Sequence, residues 1–184
     1  MNDVSADLAA AGFAAWNLDY RGIGLGGGWP GTFDDVAGGV DALAGMAGLD
    51  LSRVTALGHS AGGQLGLWAA TRPGLPAGAP GASPGVVVTA AVSLAGVVDL
   101  LDAAERGIGG GAVSQLLGGR PDRVPDRYAI ASPMARLPLG VPQLLVHGEG
   151  DRHVPVDMAH RYAAAACAAG DDVDLVTPAV AHRT

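Results

Sequence analysis

The stretch richest in reactive chemistry is Gly58-His59-Ser60-Ala61-Gly62, followed at once by Gly63. It fits the pattern GxSxG and stands where a short β-branched and apolar run, Arg53 to Leu57, gives way to the helical spacing of Gln64 to Thr71. Strand, sharp turn and helix are the setting this motif requires. A serine on so sharp a turn is strained, and strand and helix pass each other only if the positions two before and two after it are small. Gly58 and Gly62 meet that demand. The competing reading is a glycine-rich turn with an incidental serine. A serine hydroxyl is a poor nucleophile near neutral pH, so it needs a histidine base and a carboxylate that orients the imidazole.

Both partners have candidates downstream. The apolar run Gln143 to Val146 is followed by His147-Gly148-Glu149-Gly150-Asp151, which puts acids on a loop at the C-terminal end of a strand. Ligands of open parallel sheets gather at that end. Asp151 is the expected acid and Glu149 the fallback. Five histidines compete for the base. His59 is adjacent to Ser60 and must point away from it, and His147 ends a buried strand and reads as a packing or hydrogen-bonding residue. His160 falls on the exposed side of a helix, while His153 is too close in sequence to Asp151 to face it across a cleft. His182 remains, after the last strand and a Pro178 turn; its other reading is a frayed terminal residue. Ser60 would attack, His182 would take the proton, and Asp151 would hold the imidazole.

These residues need a scaffold. Val4, Leu8 and Ala11 have helical spacing, and Phe13 to Tyr20 reads as a strand with a polar C-terminal end. After the Gly-rich loop Arg21 to Gly31, the spacing of Thr32 and Asp35 predicts a capping box, with Val36, Val40, Leu43 and Ala47 continuing a helix of about four turns. Pro73 to Pro84 is a loop, and Val86 to Leu94 a buried strand. Asp99 to Leu117 reads as one or two short helices broken by Gly107 to Gly111, and Pro121 to Pro142 as irregular. Val156 to Ala169 is a helix closed by Gly170, and Val173 to Val176 the last strand. Strands alternate with helices, so the expected class is α/β, a mainly parallel sheet flanked by helices in a single domain spanning 1–184.

Composition narrows the partners. With 49% hydrophobic and 16% charged residues and a mean hydropathy of +0.30, the 184 residues can build a core. All 11 basic residues are Arg, against 18 acids, and the net charge of -7 disfavours nucleic acid. The single Cys167 excludes a disulfide or a Cys-based metal site within one chain and is expected to be a small buried filler. The longest apolar stretch, Val86 to Val98, is too short for the about 20 residues of a membrane span. No leader is read at the N-terminus, and a cytoplasmic location is the expectation. Gly22, Gly24 and Gly27 match GxGxxG, but Pro30 and Gly31 separate them from the helix, which favours a flexible loop over a nucleotide site. His147, Glu149, Asp151 and His153 alternate without a second ligand pair, so neither metal nor cofactor is expected.

GHSAGG, the stretch AWNLDYRG with WPGTFDDV after it, Ala131-Ser132-Pro133, and LLVHGEGD with Val154-Pro155 together resemble the α/β-hydrolase superfamily over almost the whole chain. The likeness is greatest to its esterase, kynurenine-formamidase-like and prolyl-oligopeptidase-like branches. It implies the nucleophile at Ser60, the acid at Asp151 and the base at His182, and it matches Asp35 to a family acid at the start of the helix after the fourth strand. The implied reaction is hydrolysis of a carboxylic ester or related acyl bond in a small-molecule ester, amide or short peptide, through an acyl-enzyme and with no cofactor. The family also carries an HGG-type loop whose N–H groups complete the oxyanion hole. This chain has none, which leaves the Ala61 N–H as donor, and one missing donor costs about 2.7 to 4 kcal/mol. The expected chain is therefore an α/β-hydrolase fold lacking its N-terminal strands and final helix. Phe13 to Tyr20 would then either pair directly with Arg53 to Leu57 or leave an apolar edge exposed. The competing function is a catalytically impaired fragment acting as a binding module.

Overall fold

A computed structural model describes residues 2–179. Four strands, β1 (Thr55–His59), β2 (Ala90–Leu94), β3 (Gln143–Val146) and β4 (Val173–Val176), form one sheet in the order β1-β2-β3-β4, parallel throughout. Their C-terminal ends are level, with His59 opposite Leu94, Leu94 opposite Val146, and Val146 opposite Val176. The ladder runs one residue further: the N–H groups of Ser60, Ala95 and His147 donate to the carbonyls of Leu94, Val146 and Val176. Whatever follows each strand therefore emerges along one edge.

The helices cover this sheet. Between β1 and β2, α3 (Ala61–Thr71) is buried continuously from Gly63 to Thr71, because the sheet lies on one side of it and α2 (Gly31–Asp41) on the other. Helix α2 buries Phe33, Val36, Ala37 and Val40 at the i, i+3, i+4 spacing of one face. The Phe33 ring meets Trp68 of α3 edge-on at 4.8 Å between centroids. After β3, α7 (Val156–Ala168) buries Met158, Ala159, Tyr162 and Ala166, and the Tyr162 hydroxyl donates to Gln143 Oε1 at 2.7 Å. An N-terminal helix, α1, spans Asn2–Ala10. The broken helix expected before Leu117 is α4 (Leu100–Glu105) and α5 (Ala112–Leu117). Among the described residues no helix is long and apolar enough to cross a membrane.

Several expectations need correction. Phe13 to Tyr20 forms no strand. The Trp16 indole N–H donates to the Gly39 carbonyl and Leu18 abuts Gly39, so the segment lies against α2 instead of pairing with β1, which has β2 as its one ladder partner among the described residues. Phe13 and Trp16 are left exposed, the second of the two outcomes foreseen. The capping box at Thr32 is absent. Pro30 occupies the cap position, and Thr32 lies inside α2, its hydroxyl donating to the Arg21 carbonyl and accepting from Gly28 N–H. A further helix, α6 (Pro125–Ala131), interrupts the stretch read as irregular. Cys167 is exposed, because the buried stripe of α7 runs through Tyr162 and Ala166 and turns the next position outward.

Candidate active site

Ser60 stands between β1 and α3 with φ 54° and ψ -118°, outside the ordinary regions for a side-chain-bearing residue. Its amide is tied to Leu94, and its carbonyl accepts the N–H groups of Gly63 and Gln64 in the opening turn of α3. The turn is closed by glycine in an instructive way. A Cβ on Gly58 would lie 2.1 Å from the Gly62 carbonyl oxygen, and one on Gly63 would lie 2.7 Å from Ser93 Oγ and 3.1 Å from the Gly58 oxygen. A Cβ on Gly62 would meet nothing nearer than the Tyr20 hydroxyl at 3.8 Å. Close passage thus rests on Gly58 and Gly63; Gly62, expected to be required, is not constrained in this way. Gly58→Ala is expected to destabilise the chain by about 1–3 kcal/mol, read as a lower urea midpoint, because backbone cannot move aside as a flexible side chain can. Gly62→Ala should stay within about 1 kcal/mol of the parent in the same melt, the ordinary range for a helical Gly-to-Ala change.

The acid candidates separate clearly. The Asp151 carboxylate is buried, and its Oδ1 accepts the backbone N–H groups of His153 at 2.8 Å and Val154 at 3.0 Å. Its Oδ2 lies 3.4 Å from His147 Nε2. That nitrogen is also 2.8 Å from the Val154 carbonyl oxygen, which can only accept, so Nε2 carries the hydrogen. His147 is accordingly a buried hydrogen-bonding residue, as its place at a strand end suggested. Glu149 is exposed, and its backbone N–H donates to the Pro178 carbonyl at 3.0 Å. His153 and His160 are exposed, and His59 ends β1. His182 lies outside the described residues.

Asp35 is engaged elsewhere. Its carboxylate takes the Arg21 guanidinium in two bonds of 2.8 Å and the Arg21 backbone N–H at 3.0 Å. These bonds hold its pKa at about 2. They also fix the backbone just after Tyr20, beside a cavity of about 510 Å³ lined by Asp19, Tyr20, Arg21, Leu25 and Asp35. A second cavity of about 460 Å³, lined in part by Arg106, Arg152 and His153, lies next to the Asp151 loop. The Gly22-to-Gly27 loop is closed on itself by a Gly27 N–H bond to the Gly22 carbonyl, and a Cβ on Gly27 would strike the Arg21 carbonyl. Among the described residues no three His, Cys, Asp or Glu side chains gather as a metal site. Tyr20, which borders the first cavity, carried no signal in the sequence beyond standing at the polar C-terminal end of a run read as a strand.

The fold agrees with the comparison to known proteins. The family model BD-FAE matches residues 1–165. This chain belongs to the BD-FAE family. Among solved structures, the truncated form of a carbohydrate esterase from gut microbiota superposes with a TM-score of 0.67 at 23% identity, covering 84% of this chain and 62% of that one. The thermophilic esterase Est2 of Thermogutta terrifontis, with propionate bound, gives 0.68 at 26% identity over 89% and 60%. The acetyl ester-xyloside bifunctional hydrolase of Caldicellulosiruptor lactoaceticus gives 0.67 at 23% over 85% and 58%. The chain therefore spans about three-fifths of the length of these neighbours and shares their α/β-hydrolase fold. No curated protein matches its sequence.

Proposed function

We propose that this chain carries the catalytic centre of a serine hydrolase acting on carboxylic esters or related acyl bonds of small molecules. The observation that carries the reading is Ser60 held at φ 54° and ψ -118° at the start of α3. Strain of this kind persists where the surroundings enforce it, and it presents a short side chain clear of the backbone. The Ala61 N–H, in the first turn of α3, has no intrahelical acceptor and faces the role of oxyanion donor. A Thermogutta terrifontis esterase 2 that superposes on this chain is phosphorylated by paraoxon, chemistry that an activated nucleophile undergoes.

Ser60 and Asp151 lie beyond the C-terminal ends of β1 and β3, strands two places and about 10 Å apart in the sheet, so both emerge along the same edge. Pro178 lies against Glu149, and His182 comes four residues later, within reach of about 14 Å along the chain. In this reading the Ser60 oxygen bonds to the substrate carbonyl carbon while its proton passes to His182, which Asp151 orients. The tetrahedral oxyanion collapses, the C–O bond to the alcohol breaks, and His182 returns the proton to the leaving oxygen. Water then repeats the sequence on the acyl-enzyme and frees the acid. No cofactor enters these steps, and the partner is a small-molecule ester, amide or short peptide.

A serine-directed fluorophosphonate tests this directly. The parent chain is expected to label and Ser60→Ala to remain unlabelled. Equal labelling of both would overturn the assignment, and a folded parent that takes up no label would favour a non-catalytic binding module.

A further inference from the structure

We propose that the cavity between the Gly107–Gly111 turn and the Asp151 loop binds a carboxylate through Arg106 and Arg152, and that the esters this chain prefers carry one. The preference for such esters rests on the reading of Ser60 as nucleophile; the binding does not. Although the chain has 18 acids against 11 arginines, this cavity of about 460 Å³ is walled by Arg106, Arg152 and His153 with no Asp or Glu. The carboxylate next to Arg152 in the chain, that of Asp151, is buried and engaged by backbone N–H groups and His147. The Gly107–Gly111 turn follows β2 and α4, and Arg152 follows β3, so the walls come from loops on the sheet edge where Ser60 also emerges. Ligands of open parallel sheets gather there.

The two arginines bring different things. Arg106 Nη1 donates to Asp102 at 3.2 Å and to Asp157 at 2.8 Å, and its Nη2 donates to Asp157 at 3.2 Å. These bonds use three of the five guanidinium N–H groups and fix the plane of the group. Nε takes part in none of them, so the edge formed by Nε–H and the second Nη2 hydrogen is left over, and such an edge takes a carboxylate through two parallel bonds. Arg152 is exposed, and among the described residues it is the one arginine whose side chain has neither an ion pair nor a hydrogen bond. Arg106 is thus an oriented donor and Arg152 an uncompensated charge. Between them the wall is bare main chain. Gly107 and Gly110 have φ of 69° and 61°, which favours glycine, and a Cβ on either would meet nothing within 4 Å, so both border open space. No covalent step is involved: the acid group exchanges water for the Arg106 edge and the Arg152 charge.

Two measurements test the site and its use. In the first, isotope-labelled Ser60→Ala protein, in which no acyl-enzyme forms at Ser60, is titrated with monomethyl glutarate and followed by NMR. The amide signals of Gly109, Gly110 and Arg152 are expected to move to a saturating end point, and adding Arg152→Gln should weaken the binding about 10-fold, the lower end for a charged hydrogen bond because the site is open to water. Dimethyl glutarate should move none of them. No saturable movement with the monoester, or equal movement with the diester, overturns the proposal. In the second, kcat/KM for mono-p-nitrophenyl glutarate is divided by that for p-nitrophenyl valerate, its uncharged counterpart, and p-acetoxybenzoate is compared in the same way with p-acetoxybenzamide. At least one ratio should fall about 10-fold in Arg152→Gln and further in Arg152→Glu, and the ratio that falls shows whether the carboxylate rides on the acid or the alcohol part. Arg120→Gln, which removes an exposed charge elsewhere, should leave both ratios within about twofold. Ratios unmoved by Arg152→Gln and Arg152→Glu, or lowered equally by Arg120→Gln, overturn the preference. Failure of the underlying reading looks different: Ser60→Ala would then hydrolyse these esters and label with fluorophosphonate like the parent, while the titration decides the binding as before.

Discussion

Asp151→Asn is expected to lower kcat for p-nitrophenyl acetate about 10⁴-fold, the loss seen when a triad carboxylate becomes an amide. The reason lies in what each oxygen does. Oδ1 is occupied by two backbone N–H groups, from His153 and Val154, so an asparagine placed here keeps its own oxygen on that side and turns its NH₂ toward the remaining one. There it presents a donor where the proposed His182 needs an acceptor, which selects the wrong imidazole tautomer. The same NH₂ also faces the hydrogen on His147 Nε2, so a modest loss of stability should accompany the loss of rate. Glu149→Gln, on an exposed side chain of the same loop, should leave kcat within about twofold. A collapse of activity in Glu149→Gln with an active Asp151→Asn would reverse the assignment of the acid. Because groups of a triad act as a unit, Ser60→Ala with Asp151→Asn should be no slower than Ser60→Ala alone.

Much of this site was legible in residue types and their order, for physical reasons that vary from element to element. β3 and β4 fall within the ranges read from sequence because each is a short, mostly aliphatic run bounded by residues that stop a strand, Pro142 and Gly148 for one and Pro178 for the other. The turn at Ser60 was legible because glycine is the one residue that lets backbones pass at such distances, although which glycines matter, Gly58 and Gly63, depends on directions no string of letters contains. Phe13 to Tyr20 shows the opposite case. Its residues suit a strand, but a strand exists only with a neighbour to bond, and here the segment rests on α2. In α6, Pro125 stands at the first helical position and Pro133 begins the short turn that follows, so prolines that read as breakers are boundaries of a helix. The Tyr20–Gly62 approach joins residues 42 positions apart, and the Asp41–Arg72 pair joins residues 31 apart. Neither has a local signature.

That second pair supplies the largest expected loss of stability. Arg72 is buried, with 1% of its side chain exposed; its guanidinium makes two bonds to the Asp41 carboxylate, and its Nε donates to the Gly81 carbonyl. Asp41 Oδ1 also accepts the N–H groups of Gly85 and Val86, so one carboxylate ties the end of α2, the end of α3 and the approach to β2. Asp41→Ala leaves a charge in the interior without its counterion, for which about 3–5 kcal/mol is usual. Water reaches the Asp41 side, which is 33% exposed, so the lower end, about 3 kcal/mol, is expected. For a chain of this size that is a fall in Tm of roughly 6–12 °C. Partial burial pushes the Asp41 pKa up, but the Arg72 and backbone hydrogen bonds outweigh it and hold the group below its ordinary value. Its contribution is therefore present in full above pH about 4 and is lost as pH falls through the lowered folded value. Urea melts should accordingly show the gap between parent and Asp41→Ala narrowing in acid, and a gap that stays constant down to pH 2 would show that the charge is not what stabilises. Replacing both partners, as Asp41→Ala with Arg72→Met, should recover part of the loss, because an apolar side chain in that site leaves no charge to be compensated.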